Sequence, residues 1–299
     1  MARVSERSRF EATNARIGQV KNHADDVQET AVSGRKLRHA SDDPVGSVRV
    51  LRNRSKLANV SQFRKTLDFA KGYLQRSEDA LMGINEALIR AKELAIQQSN
   101  AIWDPDSRDV VAQEVKQLAD HIVELGNSTY GDRYVFGGFQ TSQPPLNSAG
   151  NYMGDDGVIY VQADEDSFRS INVSGREIFD VPPEVEGKQL PLVQSLRTMY
   201  NALKSNDLDA LHKCMSDLDD ASKRVIKSTA TLGARQATVE DVGTRLDKAE
   251  EQLYKDNNEI EGADLIRTAL DMQRAQTAMQ YTLSSSAKIL SPTLMSFLQ

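Results

Sequence analysis

Few side chains in this 299-residue chain are suited to catalysis or metal binding, and none of them has the spacing for it. The four histidines fall on four separate segments, at His23, His39, His121 and His212. Metal sites need ligands that converge on one point, and no such spacing appears. His212 and the single cysteine, Cys214, are two residues apart on a predicted helix and therefore point to different faces. We predict no metal site and interpret Cys214 as a small core residue.

The glycine-rich stretch from Gly131 to Gly138 does not fit a phosphate-binding loop. Such a loop lies between a strand and a helix and carries Lys followed by Ser or Thr, whereas this stretch follows a predicted helix and precedes Pro144-Pro145. We predict a turn instead. Helix capping explains the acidic pair Asp42-Asp43, and a glycine-flanked turn explains Asp155-Asp156. The sequence therefore predicts no catalytic residue and no cofactor, and it favours a protein that is not an enzyme.

The charge is uneven, because residues 1–76 hold 16 Lys or Arg and 8 Asp or Glu while the whole chain has a formal net charge of -6. No base-stacking aromatics interleave with the clustered cations, so we predict a solvated helix face and no nucleic-acid partner. No apolar stretch approaches the roughly 20 residues that cross a bilayer, so we predict no membrane partner. Residues 1–7 lack the hydrophobic region of a secretion signal, which predicts a cytoplasmic protein or export by another machine.

Long helices must position these residues, because proline is absent from 45–104 and from 192–291. The first region predicts a helix from Pro44 to about Ala101, with Asp42 or Asp43 as its cap. Its apolar residues alternate in steps of three and four, which predicts one buried seam. The seam comprises Val60, Phe63, Leu67, Ala70, Leu74, Ser77, Leu81, Ile84, Leu88, Ala91 and Ala95. A shorter predicted helix follows Pro105 and ends at Gly126.

The second region, 207–260, predicts a helix of similar length. Its apolar residues recur every seven positions, at Leu211, Leu218, Val225, Leu232, Val239, Leu246, Leu253 and Ile260. Two seamed helices of matching length most simply pack against each other, with the shorter helix completing a bundle.

Both chain ends are also amphipathic, and neither can bury its apolar stripe alone. The N-terminal stripe comprises Phe10, Thr13, Ile17, Val20, Ala24, Val27 and Ala31. The C-terminal stripe comprises Leu265, Ala269, Met272, Gln276, Met279, Leu283, Ser286, Leu290, Leu294 and Phe297. We infer that the ends pair with each other and also with neighbouring molecules. The larger apolar members of both stripes form the predicted assembly interface: Phe10, Ile17, Val20, Val27, Leu265, Met272, Met279, Leu283, Leu290, Leu294 and Phe297.

Residues 139–189 have a sequence pattern different from that of the helical regions. Short β-like runs at 158–161, 168–173 and Ile178-Phe179 are separated by glycine and proline turns. The predicted fold is therefore mainly α: a long-helix bundle with a discontinuous terminal coiled-coil domain and a small inserted β domain. The predicted boundaries are 1–38 with 262–299 for the terminal domain, 39–138 with 190–261 for the bundle, and 139–189 for the β-rich insert.

A set of short motifs occurs in a specific order along the first half of the chain. It comprises Gly34, then Ser41-Asp42-Asp43-Pro44, Asn100, Arg108, Asn127, and Tyr134 with Phe136-Gly137-Gly138. In this order the chain resembles the hook–filament junction proteins (hook-associated protein 3) of the flagellin-like superfamily. Residues 232–235 and 257–264 continue the resemblance in the second half, and the insert lies outside it. Flagellins usually lack the proline after the two aspartates, so Pro44 favours the junction proteins.

The resemblance implies a structural subunit of the bacterial flagellum that joins the hook to the filament and allows the filament to assemble. Its partners would be the first hook-associated protein, flagellin, like subunits in a ring, and a cytoplasmic export chaperone. It would be exported by the flagellar type III apparatus, with its termini lining the inner tube. Two alternatives are a flagellin filament subunit and a soluble coiled-coil scaffold, although a scaffold would not explain the insert or the ordered motifs.

Overall fold

The fold was analysed in a computed structural model, which describes residues 2–99, 105–181 and 190–295. Helices account for most of these residues, and the strands are short. In chain order the elements are α1 (Ala2–Ser33), α2 (Pro44–Ser99), α3 (Pro105–Gly126), β1 (Thr129–Tyr130), β2 (Arg133–Tyr134), β3 (Tyr160–Asp164), β4 (Ser167–Ser170), α4 (Gly175–Phe179), α5 (Leu192–Ser205), α6 (Leu208–Glu261) and α7 (Leu265–Met295). The mainly α prediction is confirmed, and the long predicted helices differ from α2 and α6 by at most two residues at each end.

The chain divides into two compact units, and the boundaries fall within α2 and α6. One unit comprises residues 1–58 and 250–299, and the other comprises residues 59–249. In the first unit, α1 packs against α7. Because α1 ends close to where α7 begins, with the N–H of Ala263 bonded to the carbonyl of Gly34 at 2.8 Å, the two helices run antiparallel. We refer to α1 and α7 as the terminal pair.

In the second unit, α2 and α6 lie side by side and antiparallel. Five polar pairs join the two helices, and the residue numbers rise along α2 as they fall along α6. The pairs are Arg64 with Asp247, Lys71 with Glu240, Gln75 with Gln236, Asn85 with Ser222, and Lys92 with Asp219. The helix α3 lies against α2, where Arg90 binds Glu114 at 2.7 Å, and α5 packs on α3. Four helices therefore surround the core of this unit.

The predicted seams of both long helices are buried. All eleven seam residues of α2 are buried, and Leu74, Leu81 and Ile84 have no exposed surface. In α6 the seam is buried from Leu211 to Leu246, and Leu253 and Ile260 are half-buried. The one polar member, Ser77, donates its hydroxyl to the carbonyl of Tyr73 at 2.9 Å, which satisfies it inside the core.

In the described part of residues 139–189, the structure contains fewer strands than the sequence predicts. Its strands form one antiparallel hairpin, β3–β4, in which Tyr160 lies opposite Ser170, and Leu146 and Tyr152 form an isolated antiparallel bridge. The prediction of a third β-like run at Ile178-Phe179 is wrong, because these residues lie in α4. Ser174 caps that helix by accepting the N–H of Arg176, and burial on one face of the turn makes it helical. The division into three domains stays a prediction.

Candidate assembly surfaces

The buried side chains that the structure describes in the terminal pair are all small. On α7 these are Thr268, Ala275 and Ser286, and Met272 and Met279 are half-buried beside them. The facing stripe of α1 is half-buried throughout, including Ile17, Val20 and Val27. The predicted α1 stripe is therefore the one that packs from residue 13 to residue 31.

At alternate positions of the C-terminal stripe, the residue that lies toward α1 is one position earlier in the sequence than predicted. The structure places Thr268, Ala275 and Thr282 toward α1, where the sequence predicted Ala269, Gln276 and Leu283. Small residues at these positions let two helices approach closely, and Leu265 and Leu283 are left exposed. The predicted stripe was centred on the larger apolar side chains, and of these Met272 and Met279 are half-buried beside the small residues.

Large apolar side chains consequently lie exposed on both helices of the terminal pair. Phe10 is 52% exposed, Leu265 is 67% exposed and Leu283 is 47% exposed. Ile266, Leu270 and Tyr281 of α7 are also exposed, and they lie on further faces of the same helix. A helix that is apolar on more than one face is typical of one with more than one neighbour. Phe297 and the side chains of Leu290 and Leu294 lie outside the described residues, and their assignment to the interface stays a prediction.

Two short segments join the terminal pair to α2 and α6, and we call them together the terminal joint (residues 34–37 and 259–263). Gly34, which has a φ of 66°, ends α1 in a conformation that favours glycine. Arg35 and Gly262 form an antiparallel bridge, and the N–H of Lys36 donates to the carbonyl of Glu261 at 2.8 Å. The Lys36 ammonium reaches the carbonyl of Glu259 at 2.9 Å. The motif glycine Gly34 therefore lies where the segment after α1 and the segment before α7 are hydrogen-bonded to each other.

The motif Ser41-Asp42-Asp43-Pro44 forms the turn before α2. Asp43 caps α2 by accepting the N–H of Gly46 at 2.9 Å, and Pro44 is the first helical residue, which decides between the two predicted caps. Asp42 instead accepts the N–H groups of His39 and Arg38, and these bonds lower the pKa of its carboxyl group. Ser41 is exposed. Asp43 is therefore the predicted helix cap, whereas Asp42 stabilises the turn before the helix and does not cap it.

The Phe136-Gly137-Gly138 turn is held by groups from distant parts of the chain. Tyr73 of α2 donates its hydroxyl to the carbonyl of Val135, and Tyr152 donates its hydroxyl to the carbonyl of Phe136. The carboxylate of Asp155 accepts the N–H of Phe139 at 2.7 Å. Gly138 has a φ of 67° and lies too close to Asp155 for any larger residue.

The remaining motif residues are structural or lie outside the described part. Asn127 bonds both the N–H and the carbonyl of Leu146 through its side-chain amide, at 2.9 Å each. Tyr134 pairs with Thr129 in the β1–β2 ribbon. Arg108 is half-buried at the start of α3, and Asn100 is outside the described residues. The sequence alone did not single out Tyr73 or Tyr152, and it indicated Asp155 only as a turn residue, because their roles depend on contacts with distant segments.

The Tyr152 phenol makes the stability of this turn sensitive to high pH. Burial, with the Asp156 carboxylate nearby, raises the pKa of Tyr152 to about 12, whereas an unfolded tyrosine has a pKa of about 10. The unfolded chain therefore loses this proton first, so the contribution of Tyr152 is complete below about pH 10 and falls between about pH 10 and 12.

We expect Tyr152→Phe to lower the free energy of unfolding at pH 7 by about 1–2 kcal/mol, because it removes two hydrogen bonds. The difference from the parent chain should shrink at pH 11, as urea denaturation at the two pH values would reveal. Tyr160→Phe, at an exposed position, is the matched control and should change little at either pH. An equal loss for Tyr152→Phe at both pH values would contradict the assignment.

Two other kinds of site are absent from the described residues. None of the described helices is long and apolar enough to span a membrane. Within the same residues, no cluster of histidine, cysteine or carboxylate side chains is arranged to hold a metal ion. Burial raises the pKa of the Cys214 thiol to about 11, so this thiol is a poor nucleophile at neutral pH.

Known proteins resemble the chain at both ends and in its fold. Residues 4–141 match the bacterial flagellin N-terminal helical region, and residues 215–298 match the bacterial flagellin C-terminal helical region. Flagellar hook-associated protein 3 of Escherichia coli K12 is 26% identical over 233 residues, which cover 72% of this chain and 74% of that protein. A 30.7 kDa flagellar filament core protein of Treponema maltophilum is 23% identical over 262 residues, covering 87% and 86% of the two chains.

The solved structure of the flagellar junction protein FlgL from Legionella pneumophila shares the fold, with a TM-score of 0.59 at 15% identity. The match covers 72% of this chain and all of that one. The flagellin regions match the segments that form the terminal pair, the joint and the long helices, and the motif residues described above lie within them or beside them. With these regions spanning most of its length, the chain belongs to the bacterial flagellin family.

Proposed function

We propose that this chain is the structural subunit that joins the flagellar hook to the filament and on which the filament assembles. The observation that carries the proposal is the exposed apolar surface of the terminal pair, at Phe10, Leu265 and Leu283. Exposed apolar patches on a helical surface mark sites of protein association. In this function the termini bury that surface against neighbouring subunits and act without catalysis.

The partners follow from that position in the flagellum. The first hook-associated protein lies on one side, flagellin lies on the other, and copies of this chain form the ring between them. We further propose export through the flagellar type III apparatus, with a cytoplasmic chaperone covering the C-terminal helix beforehand. The same exposed leucines of α7 that bind neighbours in the assembled state would be the surface that the chaperone protects.

The alternative function is that of a filament subunit. Similarity to the Treponema maltophilum filament core protein extends over 87% of the chain and favours this alternative. Higher identity to hook-associated protein 3 and the proline at position 44 favour the junction.

Immunogold labelling of isolated flagella separates the two functions. We expect label in a single zone at the hook–filament boundary, because a junction subunit occupies one short ring. Label spread along the filament would instead identify a filament subunit. Deletion of the gene should leave cells with hooks but no filaments, and flagellin should appear in the medium.

A further inference from the structure

The first four turns of α2 carry more positive charge than the described residues neutralise. Residues 44–58 contain four cations and no carboxylate. One cation, Arg54, binds Glu261 at 2.7 Å. The other three are Arg49, Arg52 and Lys56, which are exposed and make no ion pair with the described residues.

These three cations share one face of the helix. Their spacing of three and four residues places them on a single stripe. Val45 and Val48, which are 65% and 58% exposed, lie at the start of the same stripe. We call Val45, Val48, Arg49, Arg52 and Lys56 the basic face. Exposed apolar side chains beside unpaired cations are typical of a surface that contacts another protein.

The end of α6 in the same unit carries the opposite charge. Residues 250–261 contain five carboxylates and a single lysine. Glu251 and Glu259 are exposed, and Tyr254 is exposed between them. Lys255 binds Glu251 at 2.6 Å, whereas the Glu259 carboxylate makes no ion pair with the described residues. Glu251 and Glu259 lie on one side of α6 with Lys255 between them, and we call these two carboxylates the acidic face.

We propose that the basic face of one copy of this chain binds the acidic face of the next copy. The inference rests on the proposed function, because it specifies how the subunits of the ring contact one another. The Arg54–Glu261 bridge holds the two helices side by side, so each subunit presents both complementary faces. A contact between two different faces of identical subunits is head-to-tail, and repetition of such a contact generates a ring or a helix. Complementary charges then fix which surfaces meet and in which register.

Paired charge reversals test this contact in cells that lack the chromosomal gene. Arg49→Glu with Arg52→Glu makes both faces acidic, and Glu251→Lys with Glu259→Lys makes both faces basic. We expect either variant alone to reduce immunogold-labelled hook tips by about tenfold, because like charges then meet at every contact. Expressed together, the two variants should restore labelling, since each supplies the face that the other lacks.

Expression of the two variants together is the decisive experiment. If it restores labelling, the two faces belong to different chains, and an interaction within one chain is excluded. Lys116→Glu with Lys227→Glu, at exposed positions in the other unit, is the matched control and should label like the parent chain. Unchanged melting temperatures of the purified variants should show that folding is intact. Normal labelling by either single variant, or failure of the joint expression, would overturn the proposal and indicate a different partner for the basic face. If the parent chain labels elsewhere than the boundary, the proposed function fails, while rescue at that other location would still support the contact.

Discussion

A chain carrying Leu283→Asp is expected to fold normally and to fail to join the flagellum. Leu283 is 47% exposed in the single chain, at the edge of the buried α7 stripe, about 80° around the helix from Ala275. Burial of the exposed part against a neighbour would contribute about half of the roughly 1.5–3 kcal/mol that complete burial of a leucine is worth. Aspartate would lose that contribution and would add the cost of removing a charge from water.

The melting temperature of the purified monomer should therefore stay within about a degree of the parent value, because a surface substitution changes stability little. Cells that depend on the variant should swim poorly and release flagellin into the medium. Thr277→Asp is the matched control, since Thr277 is exposed on another face of α7. A fall of several degrees in the monomer would mean that Leu283 belongs to the folded core, and normal assembly of the variant would remove Leu283 from the interface.

A charge in the α2 seam should have the opposite effect and unfold the chain. Ile84 has no exposed surface, so Ile84→Asp places a carboxyl group where no water or partner can stabilise its charge. We expect a loss of more than about 4 kcal/mol in the free energy of unfolding at pH 7. Because burial raises the pKa of a carboxyl group, stability should recover partly as the pH is lowered toward 5.

Circular dichroism during urea denaturation would measure both effects. Ile89→Asp provides the control on the same helix, because Ile89 is 49% exposed and its replacement should cost little. A cooperative transition for Ile84→Asp with the parent midpoint would show that the seam does not form the core. Cells expressing Ile84→Asp should also lack filaments, although for a reason different from that of Leu283→Asp.

The long helices could be predicted from sequence because their signals are local and repeated. The seam from Val60 to Ala95 repeats the same spacing of three and four residues many times. Asp43 and Pro44 mark the start of α2, because aspartate suits the cap position and proline suits the first helical position. The terminal stripe of α7 was displaced because periodicity alone cannot tell which large side chains face the same chain. Leu265 and Leu283 satisfy the pattern, yet Thr268, Ala275 and Thr282 lie on the buried face.

The turn around Phe136 could be predicted only in outline. The glycines indicate a turn, but the hydroxyls of Tyr73 and Tyr152 reach it from positions 62 and 16 residues away from the carbonyls that they bind. The run at Ile178-Phe179 was assigned wrongly for the same reason. Two adjacent apolar residues suit a buried strand or a buried helical turn equally well. Contacts between distant segments decide such cases.

In the proposed position between hook and filament, the terminal joint would bear mechanical load. A pull between the terminal pair and the start of α2 would load both strands of the joint at once, so each strand carries part of the tension. The cross-strand bonds at Lys36–Glu261 and Ala263–Gly34 couple the strands, and the Arg54–Glu261 bridge anchors one of them to α2. Torque entering through the ends of the chain would therefore be shared by two coupled connections instead of stretching one peptide linker.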